Sequence, residues 1–217
     1  MTVQSYKEGL KGLVKQLGEM LPEDKLAIFD HDAIQLGKSY PSPLKLGKGD
    51  KAPLFSLPNA AGESVDLKKL LENGKVVLTF YRGVWCPYCN LQLKMYQEIL
   101  PEIKAAGAQL IAISPMNPDS SVQMKETNEL QFEVLSDAES KVAEKFTTVF
   151  TNPQSSIDAM SDLGYDFYGF YDDRSAGLSV PSTFVIDSDG TILFADSAGG
   201  DYRERVEPQQ ILEALSK

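Results

Sequence analysis

One junction in this sequence restricts the possible folds more than any other feature. The run KVVLTFY at residues 75–81 is short, apolar and rich in β-branched and aromatic residues, which predicts a buried strand. Apolar residues at Leu91, Met95 and Ile99 then follow a spacing of four, so we expect a helix that ends at Gly107. A buried strand that leads directly into a helix is the unit from which α/β folds are built.

The rest of the pattern extends this unit into a mixed sheet. Strands are predicted at 108–114 and 132–137, and each is followed by a helical pattern. Residues 181–196 contain two more strands joined by a turn at Asp189, and residues 208–217 predict a closing helix. Because strands alternate with helices before a late hairpin, the sequence favours an α/β sandwich whose sheet is partly parallel and partly antiparallel.

The N-terminal part has a different pattern, which predicts a helical extension and linker at 1–48 and a main domain at 49–217. Apolar residues over 4–20 follow helical spacing, and Pro22 begins a second helical stretch. Residues 39–53 are rich in Pro, Gly and Lys and predict a linker. Three uses of the extension remain open: contact with a second subunit, covering of the main domain, and plain packing without a separate role.

Residues 150–178 match no regular pattern and are rich in aromatic residues. These are Tyr165, Phe167, Tyr168, Phe170 and Tyr171. One interpretation is an inserted helix and loop whose aromatic side chains fill the core. The other is a lid over an active site.

Charge and hydropathy exclude several classes of partner. Acidic residues outnumber basic residues by 31 to 21, and the formal net charge of −10 disfavours binding to nucleic acid or to an anionic membrane. No apolar run approaches the ~20 residues of a membrane span, and the N-terminus lacks the apolar core of a secretory signal. We therefore expect a cytoplasmic protein, and in that compartment cysteines are reduced at rest.

The two cysteines of the chain, Cys86 and Cys89, lie where the strand meets the helix. Pro87 suits the first helical position, so Cys86 should lie near the N-cap and Cys89 inside the first turn. The unpaired N–H groups and the helix dipole stabilise a thiolate there and lower its pKa below the free value of about 8.5. Arg82 lies shortly before both cysteines and adds a positive charge to this neighbourhood.

A spacing of two residues between the cysteines lets their sulfurs bond across one helical turn, so the pair can take up and release two electrons. The competing hypothesis of a structural zinc site needs four ligands, whereas the only histidine, His31, lies far away in the helical extension. An iron–sulfur cluster shared between two subunits is another alternative. The neighbouring Trp85 and Pro87 argue against a pair of inert buried thiols. We expect no metal and no bound cofactor.

Pro181, at the start of VPSTFVID, is the remaining candidate for a supporting residue. A proline at the beginning of a strand marks a turn or a cis bond and leaves the preceding backbone free to pair with an incoming peptide or disulfide. An ordinary edge-strand proline is the alternative, and the sequence does not separate the two.

These motifs together resemble a known family. The WCxxC at a strand–helix junction and the segment VPSTFVIDSDG are similar to the thioredoxin fold. The ordered segments GDKAPLFSL, KVVLTFYRGVWCPYC, AQLIAIS and FEVLSDAESKVAEKF resemble peroxiredoxins of the alkyl hydroperoxide reductase and thiol-specific antioxidant family, in a branch that carries CxxC. The likeness spans about residues 47–217. It implies a thioredoxin-like α/β fold of peroxiredoxin type, preceded by the N-terminal helices.

The resemblance implies roles for individual residues, with departures from the family pattern Pro-x-x-x-Thr/Ser-x-x-Cys. Cys89 stands at the peroxidatic position, Cys86 replaces the hydroxyl residue, and Arg82 replaces the proline. The later arginine that helps to bind peroxide has no secure counterpart, since Arg174 belongs to the insertion. A thioredoxin-type interpretation assigns the opposite roles, with Cys86 as the exposed nucleophile and Cys89 as the resolving thiol.

The function implied by the resemblance is that of an antioxidant oxidoreductase. It cycles Cys86 and Cys89 between dithiol and disulfide to reduce hydroperoxides, and a thioredoxin-like or glutathione reductant restores it. One alternative is a thioredoxin-like reductase of protein disulfides. Another, from a different class, is a non-catalytic binding module on the same fold. Relatives of this kind commonly form homodimers, and the apolar face of the N-terminal helices makes a homodimer our expectation.

Overall fold

The computed structural model describes residues 3–216. Its α-helices are, in chain order, α1 (Tyr6–Met20), α2 (Glu23–Ser39), α3 (Leu67–Leu71), α4 (Pro87–Glu98), α5 (Leu100–Ala105), α6 (Pro118–Thr127), α7 (Ala143–Phe146), α8 (Gln154–Asp162) and α9 (Pro208–Leu215). Its strands are β1 (Ser56–Pro58), β2 (Ser64–Asp66), β3 (Lys75–Phe80), β4 (Ala108–Ser114), β5 (Glu133–Ser136), β6 (Val149–Thr151), β7 (Gly177–Ser179), β8 (Ser182–Ile186) and β9 (Ile192–Asp196). Short 3₁₀ turns occupy Ala138–Ser140 and Phe167–Phe170.

The main sheet is mixed and has the strand order β5-β4-β3-β8-β9. Strands β3, β4 and β5 are parallel, whereas β8 is antiparallel to both β3 and β9. The pairs β1–β2 and β6–β7 form separate small ribbons. The mixed sheet flanked by helices is therefore confirmed, and its central strand β3 is the one that leads into the cysteine motif.

Alternation along β3 divides the interior into two layers. Val77 faces the helices α4, α5 and α9, where the larger hydrophobic cluster also contains both cysteines. Val76, Leu78 and Phe80 face the opposite side, where they pack with residues of α3 and α7. Successive side chains of a strand point to opposite faces, so one short apolar run is buried on both sides of the sheet.

The first N-terminal helix is attached to the main domain through Glu207. The Glu207 carboxylate accepts hydrogen bonds from the peptide N–H of Tyr6 at 2.6 Å and of Lys7 at 3.1 Å. Glu207 also serves as the N-cap of α9. The Tyr6 hydroxyl donates to the carbonyl oxygen of Arg203 at 2.8 Å. One carboxylate thereby satisfies the free N–H groups of two helices, because N-terminal N–H groups lack partners within their own helix.

Helix α1 packs against α4, and α2 packs against α8. At the first contact, a Cβ on Gly9 would lie 3.2 Å from Leu91 Cδ1, so glycine permits a close approach of the two helices. At the second contact, Asp32 accepts hydrogen bonds from the hydroxyls of Ser155 at 3.1 Å and Ser156 at 2.5 Å. The extension covers the main domain, and the boundary at residue 48 stays a prediction.

Two local predictions differ from the structure. The single helix expected to run to Gly107 is divided at Ile99, because Pro101 has no N–H to continue the hydrogen bonding of α4. The 150–178 insertion contains α8, a 3₁₀ turn and strand β7, which pairs with β6. The predicted closing helix ends at Leu215, and Lys217 lies outside the described residues.

In the described part of the chain, the longest helices are too short or too polar to cross a bilayer.

Candidate active site

The two cysteines occupy the positions that their local sequence predicts. Cys86 is the N-cap of α4, Pro87 begins the helix, and Cys89 lies in its first turn. Asn90 holds the preceding loop in place, since its side-chain Nδ2 donates to the carbonyl oxygens of Val84 at 2.6 Å and Cys86 at 2.9 Å. The loop that carries the first thiol is therefore tied to the helix that carries the second.

Two N–H donors converge on the sulfur of Cys89. The peptide N–H of Arg82 lies 3.5 Å from Cys89 Sγ, and Nη2 of Arg205 lies 3.4 Å from it. Burial by itself raises the pKa of Cys89, but it is outweighed first by a hydrogen bond from Cys86 and then by the charge of Arg205. The peptide N–H and the charge of Arg82 lower it further. The pKa of Cys89 therefore lies well below its ordinary value, and the thiolate is its stable form.

Cys86 has the opposite tendency. Burial raises the pKa of Cys86, and the hydrogen bond to Cys89 and the negative charge of that sulfur raise it further. The arginines Arg82 and Arg205 offset only part of this. Cys86 is thus the protonated partner that donates to the Cys89 thiolate. Both side chains are buried, Cys86 at 1% and Cys89 at 0% exposure, so burial does not distinguish the two thiols.

Arg205 is fixed by a buried network. Its Nε donates to Gln92 Oε1 at 3.0 Å, and its Nη1 donates to the carbonyl oxygens of Tyr202 and Glu204. Gln92 in turn donates to the Tyr96 hydroxyl at 3.0 Å. Because the guanidinium is held through three of its nitrogens, its charge remains at the sulfur instead of turning to solvent.

Arg82 contributes its peptide N–H to the thiolate and directs its side chain elsewhere. The guanidinium carbon lies 3.8 Å from the ring centroid of Tyr202 and 4.7 Å from that of Trp85, which is a cation–π arrangement. Its Nη2 donates to Asn152 Oδ1 at 3.0 Å. Its Nε and the side-chain nitrogen of Asn152 have no hydrogen-bond partner among the described residues.

The aromatic insertion both fills core and covers the cysteine loop. Trp85 Nε1 donates to the Tyr171 hydroxyl at 2.8 Å, and that hydroxyl donates to the Arg82 carbonyl oxygen at 3.2 Å. Phe167 is buried with its ring centroid 5.7 Å from that of Trp85. One tyrosine thus connects the insertion to both ends of the loop that precedes Cys86.

Pro181 lies directly before β8. Because Phe80 pairs with Ser182 in the antiparallel β3–β8 ladder, Pro181 lies across from the residue that follows Phe80, at the start of the cysteine loop. Every peptide bond between the described residues is trans, so the cis interpretation is wrong. The edge-strand interpretation is also wrong, since β8 lies between β3 and β9. Proline is tolerated here because it precedes the first ladder position.

A cavity of about 200 Å³ opens beside Cys86. Helices α1, α2 and α8 form one side of its wall, and the cysteine loop, the start of α4, Tyr165 and Tyr202 contribute to the rest. Its lining is mainly apolar and includes Leu17, Met20, Phe29, Met160, Tyr165 and Tyr202. Cys89 is outside this lining, so the cavity reaches only one of the two sulfurs.

Within residues 3–216, acidic, histidine and cysteine side chains form no cluster that could hold a metal ion.

Comparison with known proteins identifies the family. Residues 48–195 match the model of the AhpC/TSA family. The chain belongs to this family. AhpC/TSA enzymes are thiol-dependent peroxidases, so the protein is a thiol-dependent oxidoreductase. The N-terminal helices precede the matched range.

Individual AhpC/TSA relatives agree with this assignment. A Mycobacterium tuberculosis protein with a provisional peroxiredoxin name is 30% identical over 152 residues, which are 70% of this chain and 85% of that protein. Peroxiredoxin Bcp of Escherichia coli is 35% identical over 105 residues, which are 48% of this chain and 65% of Bcp. The solved structure of peroxidoxin BcpB from M. tuberculosis superposes with a TM-score of 0.62 at 23% identity, covering 79% of this chain and 97% of that one. The thioredoxin-like fold of peroxiredoxin type is confirmed.

One arginine next to the cysteines was not among the residues that the sequence analysis singled out. The sequence offered no secure counterpart of the peroxide-binding arginine, and Arg174 instead lies over the ring of Tyr168 at 5.5 Å. Arg205 is the arginine at the thiolate. The only signal in the sequence is rarity, because the chain contains four arginines and each could have been tested as a partner of the thiols. Its neighbour Arg203 forms surface ion pairs with Asp30 and Asp201.

Proposed function

We propose that this protein reduces hydroperoxides with Cys89 as the attacking thiol and Cys86 as the resolving thiol. The observation that carries the assignment is the convergence of the Arg82 peptide N–H and the Arg205 guanidinium on Cys89 Sγ. Burial and the neighbouring Cys89 sulfur raise the pKa of Cys86, so Cys86 stays protonated. Only a thiolate is an effective nucleophile, so this asymmetry supports attack by Cys89.

In the first step the Cys89 thiolate attacks one oxygen of the peroxide O–O bond. An S–O bond forms, the O–O bond breaks, and the departing alkoxide takes a proton to leave as an alcohol or as water. Cys89 becomes a sulfenic acid and the peroxide is reduced by two electrons. Arg205 is suited to stabilise the negative charge that moves to the departing oxygen, because a fixed donor in a buried site costs no reorganisation.

In the second step the Cys86 thiol condenses with the sulfenic acid. The Cys86–Cys89 disulfide forms and a water molecule leaves with the hydroxyl of the sulfenic acid and the thiol proton. Two equivalents of an external thiol then reduce the disulfide. Cys86 at the N-cap and Cys89 in the first turn of α4 have the CxxC spacing at which a disulfide closes across one helical turn.

The remaining candidate residues support the pair. Trp85 and Arg82 stack to close the site, Pro87 begins the helix that presents Cys89, and Pro181 borders the loop entrance. The thioredoxin-type alternative needs a Cys86 thiolate, which the raised pKa of Cys86 disfavours. A non-catalytic binding module would not need a depressed pKa at Cys89.

Mass spectrometry of two variants after peroxide treatment tests the proposal. Cys89→Ser should abolish peroxide consumption, whereas Cys86→Ser should consume one equivalent and leave a sulfenic acid that dimedone traps on Cys89. An oxygen adduct that forms on Cys86 in the Cys89→Ser protein at the wild-type rate would overturn the assignment. Two slowly alkylated thiols with ordinary pKa values would instead indicate a binding module.

Two expectations about the cellular form belong to this proposal. We expect the enzyme to act in the cytoplasm, where thiol reductants keep cysteine pairs reduced. We also expect a homodimer, because Val14 and Met20 on α1 expose apolar side chains at 53% and 68%. Light scattering after size exclusion measures this, and a monomer at high concentration would contradict it.

A further inference from the structure

The cavity beside the active site is asymmetric toward the two sulfurs. Cys86 forms part of its wall, whereas Cys89 is enclosed by Arg82 and Arg205 and does not line it. Any molecule that fills the cavity therefore lies against Cys86 and not against Cys89. In the reduced enzyme Cys86 is the protonated thiol. The cavity therefore does not border the thiolate that attacks the peroxide.

In the oxidised enzyme, the position of the cavity matters for reduction of the Cys86–Cys89 disulfide. A thiolate that attacks the Cys86–Cys89 disulfide expels the sulfur that is the better leaving group, and a lower thiol pKa makes a better leaving group. Cys89 is that sulfur, since Arg205 and the Arg82 N–H stabilise its thiolate. The reductant must then attack Cys86, which is the sulfur that the cavity reaches.

The chemistry of the lining restricts the reductant. Among the described residues that line the cavity, only Asp30 and Arg82 are charged. The Asp30 carboxylate already pairs with Arg203 at 2.8 Å. The Arg82 guanidinium is stacked on Tyr202 and hydrogen-bonded to Asn152. The Nε of Arg82 is a buried donor without a partner in the described part of the chain, and one N–H cannot pair with both carboxylates of a peptide thiol such as glutathione. Binding that thiol would bury an unpaired carboxylate, which is unfavourable.

The volume of the cavity and the burial of Cys86 also restrict the size of the reductant. An apolar protein cavity of about 150 Å³ accommodates a benzene ring, so the present volume of about 200 Å³ suits a hydrocarbon body only slightly larger. Cys86 is 1% exposed beneath helices α1, α2 and α8. A protein with its own cysteine on a folded surface does not fit such a space.

We propose that the cavity is the binding site for a small thiol reductant with an apolar body, which attacks Cys86 of the disulfide. This inference rests on the proposed function for the origin of the disulfide. The reductant thiolate forms an S–S bond with Cys86, the Cys86–Cys89 bond breaks, and Cys89 leaves as a thiolate. A second thiol attacks the reductant sulfur of the mixed disulfide, so a reductant disulfide departs and Cys86 takes up a proton. Two thiols lose two electrons and the enzyme disulfide gains them.

Reduction of the preformed disulfide tests the proposal. Trp85 is the only tryptophan and lies beside Cys86, so its fluorescence follows the reaction. The probes are compared in two pairs, each at equal thiolate concentration. Dihydrolipoamide is compared with dithiothreitol, since both are dithiols, and benzyl mercaptan with 2-mercaptoethanol, since both are monothiols. The apolar member of each pair should react about 10- to 100-fold faster, because its body leaves water for the cavity. Glutathione or a thioredoxin that reacts as fast as dihydrolipoamide would overturn the proposal.

Variants at the cavity wall assign the effect to this site. Leu17→Phe narrows the cavity and should reduce the preference for dihydrolipoamide over dithiothreitol. Met20→Lys adds a cation at the rim and should shift the preference toward glutathione. Lys15→Phe adds an aromatic ring at an exposed position of the same helix, outside the lining and not among the residues assigned to the dimer contact, and is the matched control. Loss of the preference in the control, or its retention in both wall variants, would contradict the cavity assignment.

Oxidation with diamide separates this inference from the proposed function. Diamide forms the disulfide without peroxide, so reductant selectivity is measurable even if peroxide does not oxidise Cys89. Selectivity without peroxide turnover would refute the proposed function alone. Peroxide turnover without selectivity would refute the cavity assignment alone.

Discussion

Replacement of Arg205 by glutamine tests the electrostatic basis of the site most directly. The substitution removes the positive charge that lies 3.4 Å from Cys89 Sγ and keeps a side chain of similar polarity. The Arg82 peptide N–H and the Cys86 thiol remain as donors to the sulfur. The pKa of Cys89 should therefore rise toward its ordinary value without reaching the value of an unassisted buried thiol.

The size of the shift follows from the interaction that is lost. A hydrogen bond to a charged group contributes about 1.5–3 kcal/mol, and one pKa unit corresponds to about 1.36 kcal/mol. The pKa of Cys89 should rise by about one to two units. Peroxide reduction should fall further, by about 100- to 1000-fold, because the same guanidinium is also lost as a donor to the departing oxygen.

The assay is the rate of Cys89 alkylation by iodoacetamide as a function of pH, combined with the rate of peroxide consumption. Arg203→Gln is the matched control, since Arg203 is two residues away but pairs with surface carboxylates. Arg205→Lys keeps the charge but loses the fixed fork geometry, so its pKa shift should be smaller. Thermal unfolding of each variant shows whether the carbonyl oxygens of Tyr202 and Glu204 tolerate the loss of their donor.

An alkylation pKa that is the same in Arg205→Gln as in wild type would refute this account. The low pKa would then come from the helix terminus alone. An equal loss of peroxidase activity in the Arg203 control would refute the assignment of the departing-oxygen donor to Arg205.

Two further substitutions test the contacts that hold the site. Tyr171→Phe leaves the Trp85 N–H and the Arg82 carbonyl oxygen without a buried partner. The free energy of unfolding should therefore fall by about 1–3 kcal/mol, and the tryptophan fluorescence should shift. An unchanged denaturation midpoint would contradict the bridging role of Tyr171. Glu207→Ala removes the shared cap of α1 and α9, so proteolysis should cleave the first helix faster than in wild type, whereas equal protection would show that packing against α4 suffices.

Much of the fold followed from local patterns. The continuous apolar run of β3, the four-residue spacing after it and Pro87 at the first helical position each depend on neighbours in the chain. They correctly predict the strand and the start of α4. The break at Ile99 was missed although Pro101 signals it, because the apolar spacing continues across the proline. Within 150–178 the helix α8 agrees with the interpretation of an inserted helix and loop, whereas the β6–β7 pairing was missed because these strands are short and obtain their stability from each other.

The sequence by itself determined that two thiols lie at the start of a helix after a buried strand, within a family of thiol peroxidases. It left their roles open, because the same local geometry serves either cysteine as the nucleophile. The tertiary structure decided what surrounds each thiol: it brings Arg205 to Cys89 across 116 residues and places the apolar cavity at Cys86, and our proposed roles rest on this difference. Electrostatic stabilisation depends on distance and burial in three dimensions, and a sequence pattern encodes neither for residues so far apart.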